Sequence, residues 1–338
     1  MLPDLLRAVV EGRSLTEEQA EAAMRALLAG ESTPVQTAAL LTALRMKGET
    51  VEELAGFARA MRDAATRVPV EESCRPVLDT CGTGGDGLLT FNISTVAAFV
   101  VAGAGVRVAK HGNRSISSLC GSADVLEALG VRTTVEPAMV ARAIRDVGIG
   151  FLFAPAFHGA MRHVQPVRVE LKMRTVFNFL GPLTNPAGAE IQVAGTWSEE
   201  AARKIAGALA RLGSRRAYIV NGADGLDELT ITGPSTVFAV QNGLVDRIVV
   251  SPEDFGIAPQ AGETMRGGDA GRNRAIAESI LEGGRGPARD VVLMNAALAL
   301  VAAEQAAGFR EGMERAAESI DSGSARNKLR QLRELVAG

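Results

Sequence analysis

The sequence predicts an α/β protein: a small N-terminal helical domain over residues 1–68, then a larger domain over residues 73–338 built on a mostly parallel central sheet. Three observations carry this. Capped, helix-periodic segments fill the first 68 residues. From about residue 73, short apolar runs alternate with helical ones, the pattern of parallel strands joined by crossovers. Glycine- and hydroxyl-rich loops follow the first two of those runs, where open α/β sheets place ligands. With 338 residues, 47% of them hydrophobic, the chain can bury the core of one large or two moderate domains.

Ser14 and Glu17 have the spacing of a capping box and open a helix that ends at Gly30. Thr33 opens a second, with Pro34 in the first helical position and Gln36 completing the box, and it ends near Lys47-Gly48. Thr50 and Glu53 open a third, which stops before Pro69. Leu40, Leu41 and Leu44, then Leu54, Phe57, Ala58 and Met61, recur at helical spacing, so these helices have apolar faces that need a partner. Beyond them, "PVLDT", "VRVAK", "IQVAGT" and "AYIVNG" read as strands. Residues 237–250 read as an antiparallel hairpin around Asn242-Gly243. The stretch from His163 to Gly188 is helical, bracketed by Pro166, Pro182 and Pro186, and is a candidate for re-crossing to the helical domain near residues 166–187.

Charge and cysteine content narrow the function classes. A net charge of −3 provides no global basic field for nucleic acid or anionic lipid. The first residues lack the basic region and apolar core of a signal peptide, and no apolar run is long enough for a membrane span. Cys74, Cys81 and Cys120 form no C-x-x-C pair and leave one thiol over, which points to reduced cysteines and a cytoplasmic location.

The stretch "DTCGTGGDG" places four glycines in nine residues, and Gly82, Gly84 and Gly87 satisfy G-x-G-x-x-G. A dinucleotide fold needs an acidic residue after the second strand to accept from ribose hydroxyls. Here that strand ends in Lys110, followed by "HGNRSISS", so basic and hydroxylic groups stand in place of the acid. The glycines instead suit close approach of backbone N–H groups to phosphate oxygens. A helix starting at Asn92, Ile93, Ser94 and Thr95 would add free N–H groups and a positive dipole end. A third loop, "NGADGLDELT", offers Asp224, Asp227 and Glu228. Alone it reads as a solvated acidic turn before a Mg²⁺ site; beside two phosphate-friendly loops it suggests a magnesium-bound polyphosphate.

Taken in order, "LRMKGET", "DTCGTGGD", "FNIST", "KHGNRSISSLCGSADVLEALG", "FLFAPAFHGAM", "PVRVELKMRTVFNFLGPLTNP" and "GLDELT" resemble the motif set of the anthranilate phosphoribosyltransferase family. The resemblance runs from about Leu5 to the last helix. It implies the nucleoside phosphorylase-like phosphoribosyltransferase fold, a homodimer formed through the helical domains, and a reaction of tryptophan biosynthesis. In it anthranilate and 5-phosphoribosyl 1-diphosphate yield N-(5-phosphoribosyl)anthranilate and diphosphate with Mg²⁺. By position, Gly82, Gly85, Asp86, Thr90, Asn92, Ile93, Ser94 and Thr95 would line phosphoribosyl diphosphate. A mobile loop of Lys110, His111, Gly112, Asn113, Arg114, Ser115, Ile116, Ser117 and Ser118, joined by Ser122, would cover it. Ser94, Asp227 and Glu228 match the magnesium ligands. Asn113 and Arg168 match anthranilate contacts, with Gly82 shared, and His111 and His158 are walls of the same site. Gly159 departs from the proline that usually follows this histidine, which bears on the rigidity of that wall.

The implied chemistry suits these residue types. Breaking the C1–diphosphate bond builds negative charge that Mg²⁺, Lys110 and backbone N–H groups can stabilise. Arg168 can grip the anthranilate carboxylate in a fork and aim the amine, which is neutral at pH 7 and needs positioning more than a base. The rivals are a pyrimidine nucleoside phosphorylase of the same fold, and a non-enzymatic relative that binds nucleic acid. The phosphorylase motifs differ from "KHGN" and "GLDEL", and the nucleic-acid binder calls for a basic stripe and eroded motifs.

Overall fold

The computed structural model describes residues 2–84, 87–114 and 119–337. Four helices come first: α1 (Leu2–Val10), α2 (Glu17–Ala29), α3 (Pro34–Lys47) and α4 (Val51–Ala64). Thr33 with Gln36 and Thr50 with Glu53 form reciprocal capping boxes at the starts of α3 and α4. The start of α2 differs from the expectation. Its cap is Thr16, whose side chain accepts from Gln19 N, and not Ser14; Glu17 is the first helical residue. Both pairs have the right spacing. The later one also leaves Leu15 just outside the helix and Ala20 one turn in, both buried, which is the hydrophobic staple that fixes chain entry. Helix α1 is not among the helices that the sequence predicts.

Glu53 does more than cap α4. Its buried carboxylate accepts from Leu15 N (2.9 Å), Thr50 N (2.8 Å) and Lys47 Nζ (2.9 Å), joining the starts of α2 and α4 to the end of α3. A buried carboxylate is tolerated because its lone pairs are filled and a cation faces it.

The larger part is a seven-stranded sheet: β1 (Leu78–Gly82), β2 (Val108–Gly112), β3 (Ile149–Phe153), β4 (Ile191–Gly195), β5 (Arg216–Gly222), β6 (Ser235–Gln241) and β7 (Leu244–Val250). The order is β3-β2-β1-β4-β5-β6-β7, with β1 to β5 parallel and β6 and β7 added antiparallel. Asn242, at φ 52°, and Gly243, at φ 76°, turn the hairpin as expected. Strand β3, "IGFLF", is not among the strands that the sequence predicts. A short, wholly apolar run without alternation looks the same in a buried strand and a buried helix.

The crossovers are α5 (Ile93–Gly103), α6 (Ser122–Ala128), α7 (Pro137–Asp146), α8 (Ala154–Phe157), α9 (Gln165–Leu171), α10 (Phe177–Leu180) and α11 (Glu199–Arg211); α12 (Ala270–Leu281), α13 (Pro287–Ala302), α14 (Phe309–Asp321) and α15 (Ser324–Ala337) close the chain. One face of the sheet packs on α5, α13 and α15 through residues such as Val193, Val220, Phe99 and Leu298. The other packs on α11, and that core continues without a break into α2–α4. The segment holding α9 and α10 re-enters the helical domain, where Val164, Val167, Phe177 and Leu180 share a core with Leu27 and Leu41. Arg62 of α4 fastens it by donating from Nε to Leu183 O at 2.6 Å.

The chain leaves β1 for β2 and β3 on one side and returns to β4 on the other. This reversal puts a topological switch point at the carboxyl ends of β1 and β4, the crevice where such sheets bind ligands.

Candidate active site at the strand ends

Over the switch point lies the turn after β5. It is seated so closely that a Cβ on Gly195, at the end of β4, would fall 1.4 Å from Asp227 O, and one on Gly82, at the end of β1, 2.7 Å from Asp227 Oδ2. Glycine at both strand ends is therefore what lets an acidic turn lie directly on them. Leu226 and Leu229, both buried, anchor the turn. Asn295 of α13 holds it in both directions, accepting from Leu229 N (3.0 Å) and donating to Leu229 O (3.2 Å). Asp224, the third acid of that loop, is used inside it, accepting from Thr230 Oγ1 (2.7 Å), Thr232 Oγ1 (2.9 Å) and Leu226 N (3.2 Å).

Asp227 and Glu228 reach the two arms of the glycine loop. Asp227 Oδ2 accepts from Gly84 N at 2.7 Å, and Glu228 Oε1 accepts from Ser94 N at 3.1 Å. The helix start at Asn92–Thr95 thus differs from the expectation of free N–H groups. Ser94 N is bonded to Glu228 and Thr95 N to Asn92 O. The group at this positive helix end is the protein's own Glu228 carboxyl. Burial pushes the Glu228 carboxyl up to about 8; Asp227 adds to the rise and Lys110 opposes it.

Lys110 sits inside β2, buried, and not in the loop that the resemblance implied; His111 and Gly112 complete the strand. Its Nζ donates to Thr80 O and lies 3.5 Å from Ser94 Oγ. Burial lowers its pKa, against the pull of Asp79, Glu228 and Asp227. Thr80 in turn donates from Oγ1 to Ser94 O at 3.2 Å, tying strand β1 to the start of α5. Next to Lys110, Asp79 is fully buried with its carboxyl raised to about 6 by desolvation. It accepts from His111 N (3.0 Å) and Asn185 Nδ2 (2.8 Å).

Beyond β2, Asn113 is pinned by Ser122, whose Oγ accepts from Asn113 N (3.1 Å) and donates to Asn113 O (3.2 Å). Arg114 turns toward α6, forming ion pairs with Asp124 (2.8 Å) and Glu127 (2.7 Å) and lying over the Phe153 ring. Thr90 pairs with Arg266 in an antiparallel bridge, and Ile93 is buried. Gly85, Asp86, Ser115, Ile116, Ser117 and Ser118 lie outside the described residues.

The other side of the site is made by the re-crossing segment. His111 Nδ1 donates to Gly181 O at 3.2 Å, which leaves Nε2 as an acceptor, and that Nε2 is buried without a partner among the described residues. His158 stands beside it, ring centroids 5.2 Å apart, its Nε2 also buried and unpartnered. Desolvation lowers His111 to about 3 and His158 to about 4, so both rings are neutral at pH 7. Gly159 has open space where a Cβ would stand. Arg168, in α9, lies over the Phe177 ring and donates to Gln165 Oε1 at 3.3 Å. Among the described residues no carboxylate lies within ion-pair distance of it, and burial lowers its pKa. Two cavities found elsewhere, one between α12 and α13 and one beside Lys47 and Trp197, share no residue with this cluster.

Comparison with known proteins places this arrangement. Residues 74–326 match the model of the glycosyl transferase family, a/b domain, and residues 3–65 that of its helical bundle domain. The chain is 58% identical to the anthranilate phosphoribosyltransferase of Solibacter usitatus, over 100% of this chain and 99% of that one. Among solved structures, the anthranilate phosphoribosyltransferase of Thermus thermophilus superposes with a TM-score of 0.94 at 46% identity, covering 99% of this chain and 100% of that one. The Saccharomyces cerevisiae anthranilate phosphoribosyltransferase, solved in complex with PRPP (5-phosphoribosyl 1-diphosphate) and Mg, superposes at 0.91 with 29% identity over 99% of this chain and 98% of that one; it has also been solved with 4-fluoroanthranilate. On its family-model match and its full-length relatives, the chain belongs to the glycosyl transferase family and, within it, to the anthranilate phosphoribosyltransferases.

Proposed function

We propose that this protein transfers the phosphoribosyl group of 5-phosphoribosyl 1-diphosphate to the amine of anthranilate, releasing diphosphate, with Mg²⁺ as cofactor. The observation that carries the reading is the pair Asp227–Glu228, set on the switch point and bonded to both arms of the glycine loop. Its donor set fits Mg²⁺: two carboxylates and the Ser94 hydroxyl are hard oxygen ligands, and no nitrogen or sulfur ligand is among them. Glu228 is held high partly by Asp227, the repulsion a divalent cation relieves. No cluster of three or more His, Cys, Asp or Glu side chains that could hold a metal occurs among the described residues, and Mg²⁺ completes its shell with phosphate oxygens and water.

When bound, Mg²⁺ supplies charge neutralisation for the departing diphosphate. The chain does the rest. Backbone N–H groups of the glycine loop and Lys110 present positive charge at the strand ends. Arg168 takes the anthranilate carboxylate in its fork, and Asn113 and the His111–His158 wall hold the ring; a neutral His111 with an acceptor Nε2 suits an amine N–H. Holding the amine against C1 converts a bimolecular displacement into an oriented one, which is the larger share of the task when the nucleophile is already neutral.

In this reading two copies pair through the helical domain, where α1 and α3 expose Val10, Val35 and Met46. The three free thiols fit a reducing cytoplasm. The direct test follows anthranilate fluorescence with purified protein, phosphoribosyl diphosphate and Mg²⁺. The expected result is a decay that needs all three; unchanged fluorescence at saturating substrates refutes the reading.

A further inference from the structure

One segment far along the chain touches the outgoing arm of the glycine loop. Phe91 N donates to Met265 O (3.1 Å) and Gly267 N to Leu89 O (2.9 Å), on either side of the Thr90–Arg266 bridge. A Cβ on Gly267 would stand 2.6 Å from Phe91 N and 2.7 Å from Asn273 Oδ1, so only glycine permits this seat. Asn273, in the first turn of α12 and buried, closes the strap. Its Oδ1 accepts from Gly268 N (2.8 Å) and its Nδ2 donates to Asn92 Oδ1 (3.0 Å). Asn92 then donates from Nδ2 to Cys120 O (3.1 Å), while the Cys120 thiol lies 3.5 Å from Asn92 Oδ1.

The chain of bonds has a direction. Gly268 N can only donate, so Asn273 must turn its oxygen there and its NH₂ toward Asn92. Asn92 must then present oxygen to Asn273 and nitrogen to Cys120. A carboxamide has two N–H groups; one of those on Asn92 is used by Cys120 O, and the other makes no hydrogen bond among the described residues.

We infer that Asn273 is a positioning residue for phosphoribosyl diphosphate: acting through Asn92, it fixes which way the Asn92 amide faces the substrate. This rests on the reading above, in which Asn92 lines that substrate. The test is a double-mutant cycle of Asn92→Ala, Asn273→Ala and the pair, with Asn273→Asp beside it, measured by steady-state kinetics for each substrate and by thermal melting. Asn273→Ala is expected to raise KM for phosphoribosyl diphosphate about tenfold, while KM for anthranilate moves by less than about twofold. Asn273→Asp keeps the acceptor for Gly268 N but sets an acceptor against Asn92 Oδ1. It should do at least as much harm to KM. The pair should be no worse than Asn92→Ala alone. Additive losses, or equal rises in both KM values, overturn the inference. So does a harmful Asn92→Ala beside harmless Asn273→Ala and Asn273→Asp, and that result leaves the reading of Asn92 standing. A harmless Asn92→Ala refutes both.

Discussion

The two sides of the site differ in how their polar groups are satisfied. At the ends of β1, β4 and β5, the carboxyl groups already have partners: Asp227 on Gly84 N and Glu228 on Ser94 N. On the re-crossing side, His111 Nε2 and His158 Nε2 have none, and no carboxylate within ion-pair distance answers Arg168 among the described residues. Buried polar atoms without partners are rare in native structures. The difference teaches that the strand-end side is pre-built around the protein's own carboxyl groups, whereas the re-crossing side keeps buried ring nitrogens without partners among the described residues.

The strongest way to break this comparison is at the carboxylates. Asp227→Asn with Glu228→Gln keeps the shape of the turn and removes both charges. Turnover at ordinary Mg²⁺ should fall about a thousandfold or more, and raised Mg²⁺ should recover part of it. Circular dichroism should show an unchanged fold. Full activity at low metal would make this an acidic turn only.

A smaller effect is expected on the opposite side. Arg168→Ala removes a charge-assisted pair worth roughly 2–4 kcal/mol, so kcat/KM for anthranilate should drop about 30- to 1000-fold. Arg168→Lys should recover little, because a point charge does not reproduce the fork. Calorimetric titration of phosphoribosyl diphosphate into the Arg168→Ala protein should match the parent. Equal loss of both substrates would return Arg168 to a structural role and erase the contrast between the sides.

The smallest effect sharpens the comparison through pH. Both histidines have folded values below the usual 6.5, about 3 and about 4, so the neutral rings favour the fold above 6.5. That stability is lost as pH falls below 6.5 toward the folded values, because the unfolded chain takes up protons first. Between neutral pH and pH 5 the loss is about 2 kcal/mol for each ring. Replacing His111 and His158 with Gln should flatten the fall in melting temperature over this interval. Asp79 and Glu228, whose carboxyls shift the other way, are unchanged in the variant and cancel. Equal pH slopes would show that these rings are solvated.

Where a local pattern had one solution, sequence and structure agree. Thr33 with Gln36, Thr50 with Glu53, and Asn242-Gly243 each satisfy backbone groups within a few residues of themselves. Ser14 and Thr16 offered two boxes two residues apart, and burial of Leu15 and Ala20 chose between them. Strand β3 needed β2 beside it before "IGFLF" had a defined form. The helix start at Asn92–Thr95 was legible as an anion site, yet its occupant, Glu228, comes from 134 residues later.

What the sequence by itself determined is local: the helix caps, the hairpin turn, the glycines that permit close approach, and the ordered motifs that mark the family. Only the tertiary structure decided which groups meet. It set Asp227 on Gly84 and joined Asn273 to Asn92 across 181 positions. It also placed Lys110 within a strand and turned Arg114 away to Asp124 and Glu127. The physical reason is that caps and turns are satisfied within a few residues, whereas a buried charge or amide must find its partner wherever the sheet order brings one.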